Sequence, residues 1–128
     1  MGEARINIFV VDDDQFVREM SVKIVSSLGW SVRSFAGGRE CMAALSSERP
    51  DCVLTDLNMP EMDGAELVET VASLSLPVPV VVVTTQPNSP LAHRARAAGA
   101  SDVLGKPFGP AHLREVVSNA LIPAPLHS

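Results

Sequence analysis

Residues 6–14 read INIFVVDDD. An almost wholly apolar run stops abruptly at three aspartates. Five β-branched or aromatic positions in six, with only Asn7 interrupting them, predict a strand covered on both faces, as in a parallel sheet. The same transition recurs down the chain. CVLT at 52–55 runs into Asp56, VPVVVV at 78–83 into Thr84-Thr85, and DVL at 102–104 is followed by Gly105 and then Lys106-Pro107. SVRSF at 31–35 alternates, as a strand covered on one side does.

Helical spacing fills the intervals. Residues 14–28 place Phe16, Val17, Met20, Ile24 and Leu28 at helix period, and Gly29 stands where a C′ glycine belongs. Residues 38–48 put Cys41, Met42 and Leu45 on one face before Pro50, and 64–74 turn Leu67, Val68, Val71 and Leu74 inward. Ser89-Pro90 reads as an N-cap followed by a first-turn proline, and that helix stops at Gly99. Gly109-Pro110 opens a last helix, apolar at Leu113, Val116, Val117, Ala120 and Leu121, which Pro123 ends. Five βα units in succession predict an α/β fold, a doubly wound parallel sheet with helices on both faces.

The chain has 128 residues, which fits one domain. Domain and tail are expected to divide at residue 122, with 123–128 a proline-rich tail or linker stub. Aromatics are scarce (four Phe, one Trp, no Tyr), so the core must come from Val, Leu, Ile, Ala and Met. A net charge of −5 argues against nucleic acid as the direct partner, because phosphate binding wants a basic surface. Two cysteines, Cys41 and Cys52, make no disulfide framework and read as small buried hydrophobes. No apolar run is long enough to cross a membrane, and no secretory leader is visible. A cytoplasmic protein is the default expectation.

In open sheets of this kind, ligands bind beyond the carboxyl ends of the strands. Those ends carry Asp12 and Asp13, Asp56, Thr84 and Lys106. Each of these alone has an ordinary explanation: aspartates between strand and helix often cap the helix, and Asp14 is read here as an N-cap. Together they suggest a site. Three carboxylates near one point repel, each pair by about 4 kcal/mol at 4 Å and an effective dielectric near 20. A hard cation relieves that repulsion, and Mg²⁺ suits carboxylate oxygens while keeping waters that a phosphate can replace. An ammonium and a hydroxyl beside the ion complete a set suited to phosphoryl transfer. Lys106 is one of only two lysines beside eight arginines. No glycine-rich phosphate loop is present.

VVDDD at 10–14, TDLNMPEMDG at 55–64, VVTT at 82–85 and GKPF at 105–108 together resemble the receiver domain of two-component response regulators, the CheY-like superfamily. The resemblance covers about residues 6–121. It implies a flavodoxin-like (βα)5 fold with strand order 2-1-3-4-5. Asp56 matches the phosphoacceptor, Asp13 the direct metal ligand and Asp12 its acidic partner. Asn58 matches the residue whose carbonyl completes a Mg²⁺ site, for which Mn²⁺ is the alternative ion. Thr84 matches the hydroxyl that turns onto the phosphoryl group, and Lys106 the ion-pairing lysine, with a cis Lys106–Pro107 peptide. The implied partner is a histidine kinase or a histidine phosphotransfer protein. The implied readout is the α4–β5–α5 face (the helix after Ser89, the strand 102–104 and the helix after Gly109). It would favour a partner, a homodimer or a DNA-binding output domain. The module is expected to be a switch that catalyses its own phosphorylation and dephosphorylation, without turnover of a substrate.

Two positions depart from the pattern. Val103 stands where the family usually has an aromatic switch residue, and Thr85 where it has Ala or Gly. These keep open a degenerate receiver that acts only as an interaction module. Asp12-Asp13-Asp14 also contains the Asp-x-Asp spacing of metal-dependent phosphatases of the dehalogenase type, a reading that would leave Asp56 idle. Met59, Met62 and Trp30 read as packing residues. His93, Arg94, Arg96, His112 and Arg114 read as a solvated face, with contact to an acidic partner as the alternative.

Overall fold

The structure, a computed structural model, describes residues 5–121, so the expected boundary at 122 and the tail 123–128 lie outside the described residues. Strands and helices alternate throughout: β1 (Asn7–Val11), α1 (Gln15–Ser27), β2 (Ser31–Phe35), α2 (Gly38–Leu45), β3 (Cys52–Asp56), α3 (Gly64–Ser73), β4 (Val80–Thr84), α4 (Pro90–Ala98), β5 (Asp102–Gly105) and α5 (Pro110–Leu121). The sheet order is β2-β1-β3-β4-β5 and every pairing is parallel. The chain leaves β1 for β2 on one side and returns with β3 on the other. The winding therefore reverses between β1 and β3, where an open sheet leaves a crevice at its carboxyl edge.

Alternate residues of the central strands feed two separate cores. Phe9, Val11, Val53, Val80 and Val82 pack with Cys41, Leu45, Leu67, Val68, Val71, Ala92 and Ala95, under α2, α3 and α4. Ile8, Val10, Cys52, Leu54, Val81 and Val83 pack with Val25, Leu113, Val116 and Val117, under α1 and α5. This is why the central runs are apolar at nearly every position. Each fully buried aliphatic side chain contributes about 1.5–3 kcal/mol. Phe9 and Phe35 meet edge to face with ring centroids 4.8 Å apart.

Local signals set the helix ends; α2, expected over 38–48, stops earlier, at Leu45. The Asp14 carboxylate accepts from Val17 N–H at 3.0 Å, and the Ser89 hydroxyl from Ala92 N–H at 3.1 Å with Pro90 in the first turn. Gly99 closes α4 with φ 112°, a left-handed conformation that costs glycine little. Asp63 and Glu66 form a reciprocal capping box at the start of α3.

Among the described residues, three large apolar side chains are exposed. Phe16 is 72% exposed, Met20 46% and Leu74 58%. In α1 the apolar residues occupy two neighbouring rows. The row containing Ser21 and Val25 turns to the sheet, and the row of Phe16 and Met20, one turn apart, is left on the surface. Leu74 lies past the end of α3, where the chain turns away through Ser75 at φ 53°.

Candidate functional site

The strand ends converge as the parallel register requires. Asp56 is level with Val83, and Thr84 with Gly105. Lys106 N–H then donates to Thr84 O at 2.8 Å, which ties the start of the β5–α5 loop to the end of β4. The Lys106–Pro107 peptide is cis. Asp12 and Asp56 stand at the ends of the two strands that flank the winding reversal.

Carboxylate oxygens of Asp12, Asp13 and Asp56 all lie within 4.8 Å of one another. Lys106 Nζ reaches across from the β5 side, donating to Asp56 Oδ1 at 3.0 Å and to Asp12 Oδ2 at 3.3 Å. Asp12 Oδ1 accepts from Asp14 N–H at 3.0 Å. Asp12 is buried, Asp56 partly buried and Asp13 exposed. Burial raises the Asp56 carboxyl above its ordinary value. The hydrogen bond and charge of Lys106 oppose that rise, and the Asp12 charge adds to it. Lys106 is itself held above its ordinary value: burial alone would lower it, but Asp56 and Asp12 outweigh burial. The two rises have different causes: at Lys106 two facing acids outweigh burial, whereas at Asp56 burial outweighs the one facing cation. One ammonium among three carboxylates leaves excess negative charge, and an all-oxygen donor set of this kind fits Mg²⁺.

Thr84 is almost wholly buried at the end of β4, and its hydroxyl accepts from Gln86 N–H at 3.0 Å. In this state it is bonded to its own loop and not to the acids. Asn58, exposed between buried Leu57 and Met59, sits two residues past Asp56 in the loop after β3. Asp14 caps α1 and stands outside the acid cluster. Val103 is half-buried against the core beneath α4. From α4, Arg96 Nη1 donates to Pro87 O at 2.7 Å in the loop that follows Thr84.

Two residues next to the cluster escaped the sequence reading. A Cβ on Gly64 would stand 2.6 Å from Asp56 O and 2.9 Å from Leu57 Cα, so only glycine lets α3 start against the backbone of Asp56. Its signal, a glycine right after an acidic N-cap, is shared by many helix starts. Arg18 Nη1 donates to Asp12 O at 2.7 Å. Its signal was a cation in the opening turns of a helix, where the dipole disfavours one.

The response regulator receiver domain profile matches residues 8–118. The response regulator MprA of Mycolicibacterium vanbaalenii is 38% identical over 103 residues, 80% of this chain and 45% of MprA. The transcriptional regulatory protein FixJ of Bradyrhizobium diazoefficiens is 32% identical over 115 residues, 90% of this chain and 56% of FixJ. The chain thus spans about half the length of these relatives, and 22% of the NtrC regulator of Proteus hauseri, which is 35% identical over the matched part. Among solved structures, the chemotaxis protein CheY4 of Vibrio cholerae superposes with a TM-score of 0.83 at 33% identity, covering 92% of this chain and all of that one.

Proposed function

The chain belongs to the response regulator receiver domain family, a signalling domain, and from that premise we propose that it is the phosphoacceptor of a two-component phosphorelay. Asp56 receives the phosphoryl group from a phosphohistidine of a histidine kinase or histidine phosphotransfer protein. The observation that carries this reading is Lys106 Nζ at 3.0 Å from Asp56 Oδ1, beside acids whose oxygens lie within 4.8 Å of one another.

In the transfer, a carboxylate oxygen of Asp56 forms the bond to phosphorus as the P–N bond to the donor imidazole breaks, and the electron pair stays on that nitrogen. Asp12, Asp13, Asp56 and the Asn58 carbonyl would hold Mg²⁺. Bound there, the ion would supply positive charge to offset that of the phosphoryl oxygens. Lys106 offers its ammonium to a phosphoryl oxygen once Asp56 no longer carries a full charge. Thr84 exchanges Gln86 N–H for the phosphoryl group, to which its hydroxyl donates. Phosphorylation adds roughly −1.5 to −2 charges, by analogy with phosphorylated hydroxyl side chains.

With Val103 in place of an aromatic switch, Thr84 has no ring beneath α4 to move. The loop 85–89 then carries the signal, because Arg96 links α4 directly to Pro87. The α4–β5–α5 face is the readout, for a partner, a homodimer or an output domain, and the module works in the cytoplasm. Phe16 and Met20, exposed in the first turns of α1 just beyond Asp13, provide apolar surface for the donor protein.

The test is incubation with acetyl phosphate or phosphoramidate and Mg²⁺, followed by intact-mass measurement. One added phosphoryl group is expected, and none on Asp56→Asn. No adduct from any donor favours an interaction module. Sustained phosphoester turnover that survives Asp56→Asn favours a phosphatase.

A further inference from the structure

Arg18 touches the acid pocket, yet the transfer scheme gives it no task. It is half-buried, and among the described residues it forms no ion pair, whereas Arg33, Arg39 and Arg94 each do. It occupies the fourth position of α1, where the positive end of the helix dipole disfavours a cation. Its contact is the main-chain oxygen of Asp12, at 2.7 Å.

That oxygen belongs to the peptide group joining Asp12 to Asp13. A peptide group is planar, so holding its oxygen fixes the orientation of the plane between the two acidic residues. Asp12 has independent supports. Its N–H donates to Phe35 O at 3.1 Å, and its carboxylate accepts from Asp14 N–H and Lys106 Nζ. The Asp13 carboxylate is exposed and accepts no hydrogen bond from the described residues. With no hydrogen bond to hold it, it depends on the backbone to aim its Cα–Cβ bond at the site.

We propose that Arg18 is a positioning residue for the divalent-cation site. By clamping the Asp12–Asp13 peptide, it keeps the unsupported Asp13 carboxylate turned toward Asp12 and Asp56. This rests on the metal reading above. Positioning and charge act in opposite directions here. As a bare positive charge beside a cation site, Arg18 would weaken metal binding, and its removal would tighten it. As a clamp it strengthens binding, and its removal weakens it.

The experiment titrates the full chain with Mg²⁺ by calorimetry and with Mn²⁺ by electron paramagnetic resonance, for wild type, Arg18→Ala and Arg18→Lys. Loss of a group that orients a metal ligand lowers affinity by about tenfold or more. Arg18→Ala is expected to show that loss, and Arg18→Lys, which keeps a donor for the carbonyl, to recover most of it. A second readout needs no metal. Exchange of the Asp14 amide hydrogen, held by Asp12 Oδ1, accelerates in Arg18→Ala and not in Arg18→Lys. Affinity that is unchanged or tighter in Arg18→Ala overturns the proposal, even if that variant melts earlier. A wild type that binds neither ion overturns the metal reading and this one with it. Wild-type binding with an indifferent Arg18→Ala overturns this one alone.

Discussion

Replacing the phosphoacceptor carboxylate by its neutral amide, Asp56→Asn, should make the metal-free protein more stable. At separations no greater than 4.8 Å and an effective dielectric near 20, each repulsion between Asp56 and the other two acids is worth at least about 3.5 kcal/mol before solvent screening. The attraction of Asp56 to Lys106 at 3.0 Å is worth about 5.5 kcal/mol on the same scale. Solvent reduces the share that involves exposed Asp13, so attraction and repulsion nearly cancel. Burial of the carboxylate then decides the sign. It disfavours the charge, consistent with the raised Asp56 value. The amide oxygen can still accept from Lys106. A net gain of about 1–2 kcal/mol corresponds to a rise in Tm of about 5 °C for a chain of this size. Differential scanning calorimetry at pH 7 with a chelator present measures it. Because an acid with a raised value binds protons more tightly when folded, wild-type stability falls as the pH climbs through that value. The advantage of Asp56→Asn is therefore widest at neutral pH and closes as acid protonates Asp56. Added Mg²⁺ should stabilise wild type more than the variant, since the ion binds only the folded site. A variant less stable than wild type in chelator at pH 7 would refute this account of the pocket.

Lys106→Ala removes the one ammonium facing Asp12 and Asp56. Mg²⁺ affinity should rise by about threefold or more on charge grounds, while phosphorylation by acetyl phosphate falls; calorimetry and intact mass read the two effects separately. In wild type, the contribution of Lys106 to stability holds below the ordinary lysine value of 10.5 and is lost as the pH rises through its higher folded value, which alkaline unfolding curves should show. Gly64→Ala drives a methyl group into Asp56 O and Leu57 Cα; urea unfolding should show a loss of about 2 kcal/mol, and Mg²⁺ affinity should fall with it. Phe16→Ser should slow transfer from a protein phosphohistidine donor and leave labelling by acetyl phosphate unchanged, because the side chain is exposed and makes no part of the pocket; equal slowing with both donors would count against a docking role.

The fold was readable because each central strand must be apolar on both faces, and INIFVV, CVLT and VPVVVV are. Asp12, Asp13, Asp56 and Lys106 were readable because a parallel sheet brings its carboxyl ends together, and the structure brings these four together. The buried face of α1 was not, since the rows of Phe16–Met20 and Ser21–Val25 are neighbours on the helix and only packing chooses between them. Arg18 and Gly64 were missed for a related reason. Their importance lies in a carbonyl oxygen and a 2.6 Å approach, and main-chain positions leave no pattern in side-chain type. The bond from Gln86 N–H to the Thr84 hydroxyl likewise belongs to the turn.

Trp30 is the sole tryptophan, there is no tyrosine, and it is buried with Ile8, Val25 and Val117 in the core under α1 and α5. It precedes Ser31, which is level with Asn7 at the opening end of the sheet, away from the carboxyl edge. Near-ultraviolet emission therefore comes from one layer of the molecule only. Denaturation followed by tryptophan emission reports the loss of this layer, and the layer beneath α2, α3 and α4, whose buried aromatic residues are Phe9 and Phe35, adds nothing to that emission. Coincidence of the tryptophan curve with far-ultraviolet circular dichroism would mean that the two cores are lost together. A metal titration needs a different probe, because the fluorophore and the acids lie at opposite ends of β1.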